Sequence, residues 1–99
     1  MYLVVTTSGM AIDWLTVQER GITSFEIEKQ RQNLEFKSII RIDSKAKAQF
    51  SDRVISYRYL DQILESSETV NYRIKVIDNE GLSYYSDTKS TSTILKIAD

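Results

Sequence analysis

Val70-Asn71-Tyr72-Arg73-Ile74-Lys75-Val76 alternates apolar and polar side chains without a break. A period of two puts Val70, Tyr72, Ile74 and Val76 on one face of a strand and Asn71, Arg73 and Lys75 on the other. β-Branched and aromatic residues fill the apolar face, as half-buried strands require. Asp78-Asn79-Glu80-Gly81 follows directly, with Asn79 and Gly81 both tolerant of positive φ. That chemistry reads as a hairpin connection into a returning strand that starts near Ser83.

The same period recurs on the N-terminal side. Phe25-Glu26-Ile27-Glu28-Lys29 directs Phe25 and Ile27 inward and two glutamates outward, and Met10, Ile12 and Trp14 alternate with Ala11 and Asp13. Runs of this kind lie near 2–6, 10–16, 23–30, 35–42, 53–60 and 69–78, with a last one from about 83 that breaks before 91–97 and turns Leu95 and Ile97 inward. Turn residues separate them: Ser8-Gly9, Glu19-Arg20-Gly21 and Arg31-Gln32-Asn33. The segments 44–52 and 61–65 are too short for stable helices and read as connections. Seven short alternating strands predict an all-β fold, a seven-stranded antiparallel β-sandwich.

Composition excludes several classes of function. The 99 residues suffice for one domain, 1–99, and contain no Cys, no His and no Pro. Zinc and most transition metals lose their usual ligands, and the Ser-His-Asp and Cys-His arrangements cannot be built. Thirteen Lys and Arg against fourteen Asp and Glu leave a net charge of −1, without the basic footprint of a nucleic-acid binder. The glycines stand alone at 9, 21 and 81, so there is no phosphate-cradling loop. No apolar run approaches the roughly 20 residues of a membrane span, and the start has no signal-peptide pattern. The chain is therefore either cytoplasmic or a domain cut from a longer exported protein.

Ile12-Asp13-Trp14 with Glu19, Phe25 to Lys29, Phe36 with Ile39, Tyr57-Arg58-Tyr59-Leu60-Asp61, and Tyr72 to Gly81 followed by Ser83-Tyr84-Tyr85-Ser86 occur in an order that resembles a fibronectin type III domain. The version resembled is that of large secreted and surface proteins of bacteria. The resemblance spans about positions 10 to 97 and implies an immunoglobulin-like sandwich, with strands A, B and E in one sheet and C′, C, F and G in the other. It further implies a non-catalytic spacer or interaction module, extracellular or at the cell surface, excised from a longer chain. Its partners would be neighbouring domains of that chain or another protein. The departures are the missing prolines, above all at the corner 63–69, and the loop 78–81, which carries no Arg-Gly-Asp.

Ile12, Trp14, Phe25, Ile27, Phe36, Tyr72, Ile74 and Val76 are the expected core. An inward Tyr72 must satisfy its hydroxyl, and the resemblance implies a backbone bond across the corner before it. Tyr57, Tyr59, Tyr84 and Tyr85 are the candidates for binding, because an exposed tyrosine can stack on a pyranose ring or anchor a protein contact. Adjacent Tyr84 and Tyr85 point to opposite faces, so one of them should be exposed. They define the rival reading, a small carbohydrate-binding module. The loop acids Asp43, Asp52, Asp61, Asp78 and Glu80 lack the spacing of a calcium loop or a catalytic pair. No enzyme activity, cofactor, metal, nucleic-acid partner or membrane insertion is expected. Glu26 and Glu28 should form cross-strand pairs with Arg73 and Lys75.

Overall fold

The computed structural model describes residues 1–6, 9–32, 34–62 and 69–91. Along the chain these form β1 (Tyr2–Thr6), β2 (Gly9–Thr16), β3 (Ile22–Arg31), β4 (Lys37–Asp43), β5 (Ile55–Asp61), β6 (Val70–Asp78), β7 (Ser83–Tyr85) and β8 (Lys89–Ser90). Every pairing is antiparallel. One sheet has the order β1-β2-β5, and the other β4-β3-β6-β7, with β8 also on β6. The expected turns at Ser8 and Asn33, most of the corner 63–69, and the run 91–97 with Leu95 and Ile97 lie outside the described residues, Thr69 and Thr91 excepted. No described helix is long and apolar enough to cross a membrane.

Alternation does the folding work. Met10, Ile12 and Trp14 of β2 and Tyr57 of β5 meet Phe25 and Ile27 of β3 and Val70, Tyr72 and Ile74 of β6 in one buried cluster between the sheets. Each large apolar side chain so buried contributes about 1.5–3 kcal/mol. At its centre Trp14 stacks on Tyr57 with ring centroids 5.3 Å apart, and Phe25 meets Tyr57 at 4.8 Å. Such pairs add about 0.5–1.5 kcal/mol beyond the burial. Val76 is half-buried against this cluster.

Phe36 departs from the expected core. It precedes β4 and is half-buried outside the cluster, its ring beneath the Arg73 guanidinium. A register shift in the β3–β4 ladder after Ile27 is the physical reason. One extra residue there changes which side chains of β4 face inward, and Ile39, Ile40 and Ile42 reach the core instead.

Two strands begin or break away from their expected positions. β5 starts at Ile55 rather than 53, because Ser51 exchanges two backbone hydrogen bonds of 2.8 Å with Glu19 and holds the chain off the sheet. The final run breaks after Tyr85: Ser86 Oγ accepts the Ile74 N–H at 2.8 Å, replacing a ladder carbonyl. Pairing resumes at Lys89 with the register offset by one residue. The connection 44–52 turns through bonds from Lys47 N to Ser44 O and from Gln49 N to Ala46 O, with Lys47 and Ala48 at positive φ.

Candidate interaction surface

Two polar clusters lock the sheets together, one towards each end. At the first, Glu19 is fully buried, and its carboxylate accepts from Thr16 Oγ1 at 2.8 Å, Ser44 Oγ at 2.5 Å and Tyr57 Oη at 2.6 Å. These donors come from the end of β2, the residue after β4, and β5, so one carboxylate ties both sheets. Burial, and then the bond to Glu19, push the Tyr57 phenol above its ordinary pKa.

At the second cluster the Tyr72 hydroxyl donates to Asp61 Oδ2 at 2.6 Å, and Lys29 Nζ lies 2.8 Å from the same oxygen. The backbone acceptor expected for Tyr72 is thus replaced by a carboxylate, itself neutralised by a lysine from the facing sheet. Burial first, and Asp61 second, drive the Tyr72 phenol far above the tyrosine range. Tyr57 and Tyr72 are structural, and Tyr57 is withdrawn from the binding candidates because it is buried. Tyr59 is half-buried against the core.

Tyr84 and Tyr85 are both exposed, at 52% and 50%, where only one of the two was expected to be. Tyr84 sits opposite Val76, on the inward side of β7. β7 is an edge strand of three residues, all of them exposed. Tyr85 sits opposite Lys75, on the outer face.

That outer face carries an ordered cluster. Glu28 and Arg73 are directly opposite on β3 and β6, and Arg73 Nε bonds Glu28 Oε1 at 2.7 Å. Arg73 is diagonal to Tyr85, and its guanidinium lies 4.0 Å from the Tyr85 ring and 4.1 Å from that of Phe36. A cation between two rings gains about 0.5–2 kcal/mol per contact, depending on its exposure. The carboxylate fixes Arg73, and Arg73 fixes Tyr85. The neighbouring row on this face is Lys75, Glu26 and Arg41, giving alternating charge beside the aromatic cluster.

Of the cross-strand pairs expected between Glu26 and Glu28 and Arg73 and Lys75, Glu28 with Arg73 is formed, while the aromatic sandwich around Arg73 depends on the diagonal neighbour and has no sign in the sequence. Glu19, five positions after Trp14, likewise carries no sequence sign of the hydroxyls it binds. Of the loop acids, Asp43, Asp52 and Glu80 are exposed and Asp61 is the inter-sheet partner just described. Asp78 caps its own turn by accepting from the Glu80 and Leu82 amides at 2.9 and 3.0 Å. In that turn Gly81 takes positive φ and Asn79 does not; the Asn79 amide packs beside Gly21 instead. Among the described residues no group of three or more acidic, His or Cys side chains could hold a metal. No family model matches this chain, and neither a curated protein nor a solved structure does.

Proposed function

We propose that this chain is a fibronectin type III-like, seven-stranded module that works without catalysis, as a spacer or interaction unit of a larger secreted or cell-surface bacterial protein. The strand order supports the type: β1-β2-β5 and β4-β3-β6-β7 correspond to A-B-E and C′-C-F-G. β7 and β8 occupy one edge with a single-residue offset and count as one interrupted strand.

The observation that carries the spacer reading is the path of the chain. β1 starts level with Asp13 and runs towards Gly9 and Asp61, whereas β7 and β8 run from the level of Ile77 to that of Asn71. Both therefore run in one direction along the sandwich, from the Glu19 end, where β1 starts, to the Asp61 end, where Thr91 bonds the Val70 amide. The two polar clusters brace both ends against shear. Neighbouring domains would then be held apart along the 45 Å long axis.

The second reading, a carbohydrate-binding module, is favoured by the two exposed tyrosines and by the immobilised ring of Tyr85. A fixed ring loses less entropy on stacking than a free one. Affinity electrophoresis through gels containing neutral polysaccharides separates the readings. A spacer migrates unretarded in all of them. Retardation that disappears in both Tyr84→Ala and Tyr85→Ala, with folding intact, would establish the second reading.

A further inference from the structure

β5 ends its sheet, and among the described residues nothing pairs with its outer edge. The Ser56 carbonyl faces that edge, because it accepts the Lys45 ammonium at 2.6 Å rather than a group of β2. N–H and C=O of one strand residue point to the same side, and alternate residues repeat the direction. The amides of Ser56 and Arg58 therefore also face outward. Long basic side chains over an edge are a common guard against strand pairing.

Beside this edge the segment between β4 and β5 forms a groove of about 690 Å³. Its wall is preformed: Ser51 is bonded twice to the Glu19 backbone, and Ala48 N donates to Ile22 O at 3.0 Å. Lys45, Lys47 and Arg53 line it, and among the described residues no carboxylate does. Asp52 lies on the same loop outside the lining, Glu19 is buried beneath in its own hydrogen bonds, and Asp13 is held by Arg58 at 2.6 and 2.7 Å. Phe50 and Val54 add exposed apolar surface, with the Arg20 guanidinium 5.1 Å from the Phe50 ring.

The geometry points to a docking site for an extended acidic polypeptide, added as a strand to the free edge of β5. Strand addition supplies main-chain bonds, and flanking pockets supply selectivity. An incoming N–H takes the Ser56 carbonyl, and an incoming carboxylate takes the Lys45 ammonium it displaces, so no polar group is left unpaired. Alternate apolar side chains of the guest lie against Phe50 and Val54. A sulfated saccharide would satisfy the cations but has no use for a backbone edge. This site is separate from the Tyr85 face, and a spacer remains a spacer if the groove stays empty.

The test is fluorescence anisotropy with a labelled peptide of about ten residues alternating Glu and Val. A Lys-Val peptide and a sulfated oligosaccharide serve as competitors. Two charge reversals, Lys47→Glu with Arg53→Glu, are expected to weaken the Glu-Val peptide at least about tenfold, equivalent to roughly 0.7 kcal/mol per charge. Ser56→Pro removes an outward amide without touching the β2 pairing and is expected to abolish binding with an unchanged thermal melt. If that variant fails to fold, peptide-induced shifts and slowed exchange at the Ser56 and Arg58 amides of the parent give the same answer by NMR. Equal affinity for the Lys-Val peptide overturns the proposal, as does full binding by folded Ser56→Pro or an unperturbed edge in the parent. So does binding of the saccharide in place of the peptide, or a dimer through this edge in sedimentation.

Discussion

Replacing Glu19 with Ala removes the single acceptor shared by three hydroxyl groups. Thr16 is half-buried and can turn to water, but Ser44 and Tyr57 are buried and lose the acceptor for their protons. Each buried group left unsatisfied costs about 1–3 kcal/mol. Relief from burying a carboxylate offsets part of this, and the cavity left by the side chain adds to it. The expected loss is about 4 kcal/mol, a large share of the 5–15 kcal/mol that holds a domain of this size. Glu19→Gln retains one acceptor oxygen and should lose about half as much. Tyr57→Phe withdraws one donor from a charged acceptor, about 1.5–3 kcal/mol, and should couple to Glu19→Ala by a similar amount in a double-mutant cycle. Urea unfolding followed by fluorescence measures all of this in the Glu19 variants, because Trp14 is the only tryptophan and stacks on Tyr57. The Tyr57→Phe arms need circular dichroism as a second probe, since that change alters the stack itself. A Glu19→Ala midpoint within experimental error of the parent would refute the idea that this cluster ties the sheets.

Asp61→Asn leaves the Lys29 ammonium without its counter-charge. The loss should be about 2–4 kcal/mol in the same unfolding assay, somewhat below the fully buried range because a tenth of each side chain still meets water. Alkali tests both clusters together through the raised phenols of Tyr57 and Tyr72. Below the unfolded tyrosine value of about 10, both states keep the proton and the contribution is complete. Above it the unfolded chain releases protons that the fold retains, so stability falls as pH climbs towards the folded values. Absorbance at the tyrosinate band should show a late component that Tyr57→Phe with Tyr72→Phe removes. Gly9→Ala should destabilise by more than about 1 kcal/mol in thermal melts, because Gly9 holds φ at +148° and its new Cβ would land on the Asp61 carbonyl.

Strand positions and facing were legible because burial on one side of a sheet writes a period of two into the chain. The run from Val70 to Val76 and the pair Phe25 and Ile27 needed nothing else. The missed features depend on geometry that no linear period carries. Phe36 left the core through one inserted residue in the β3–β4 ladder, and a bulge has no reliable sign in a single sequence. Tyr57 and Tyr59 are alike in sequence terms, two apart on the same strand. Only the position of Glu19 buries the hydroxyl of the first. Tyr84 keeps to the alternation, opposite Val76, yet half of it meets water because it sits on a three-residue edge strand. Chemistry at the surface was the least legible, since Arg73, Tyr85 and Phe36 come together from three separate strands or their flanks.

In the proposed spacer, the first and last described strands run the same way along the sandwich, which would place neighbouring domains at opposite ends. Two copies joined in tandem by a short linker test this directly in small-angle X-ray scattering. An end-to-end spacer gives a maximum dimension close to twice the 45 Å long axis of one unit. A tandem pair no longer than a single unit, lying side by side, would contradict it.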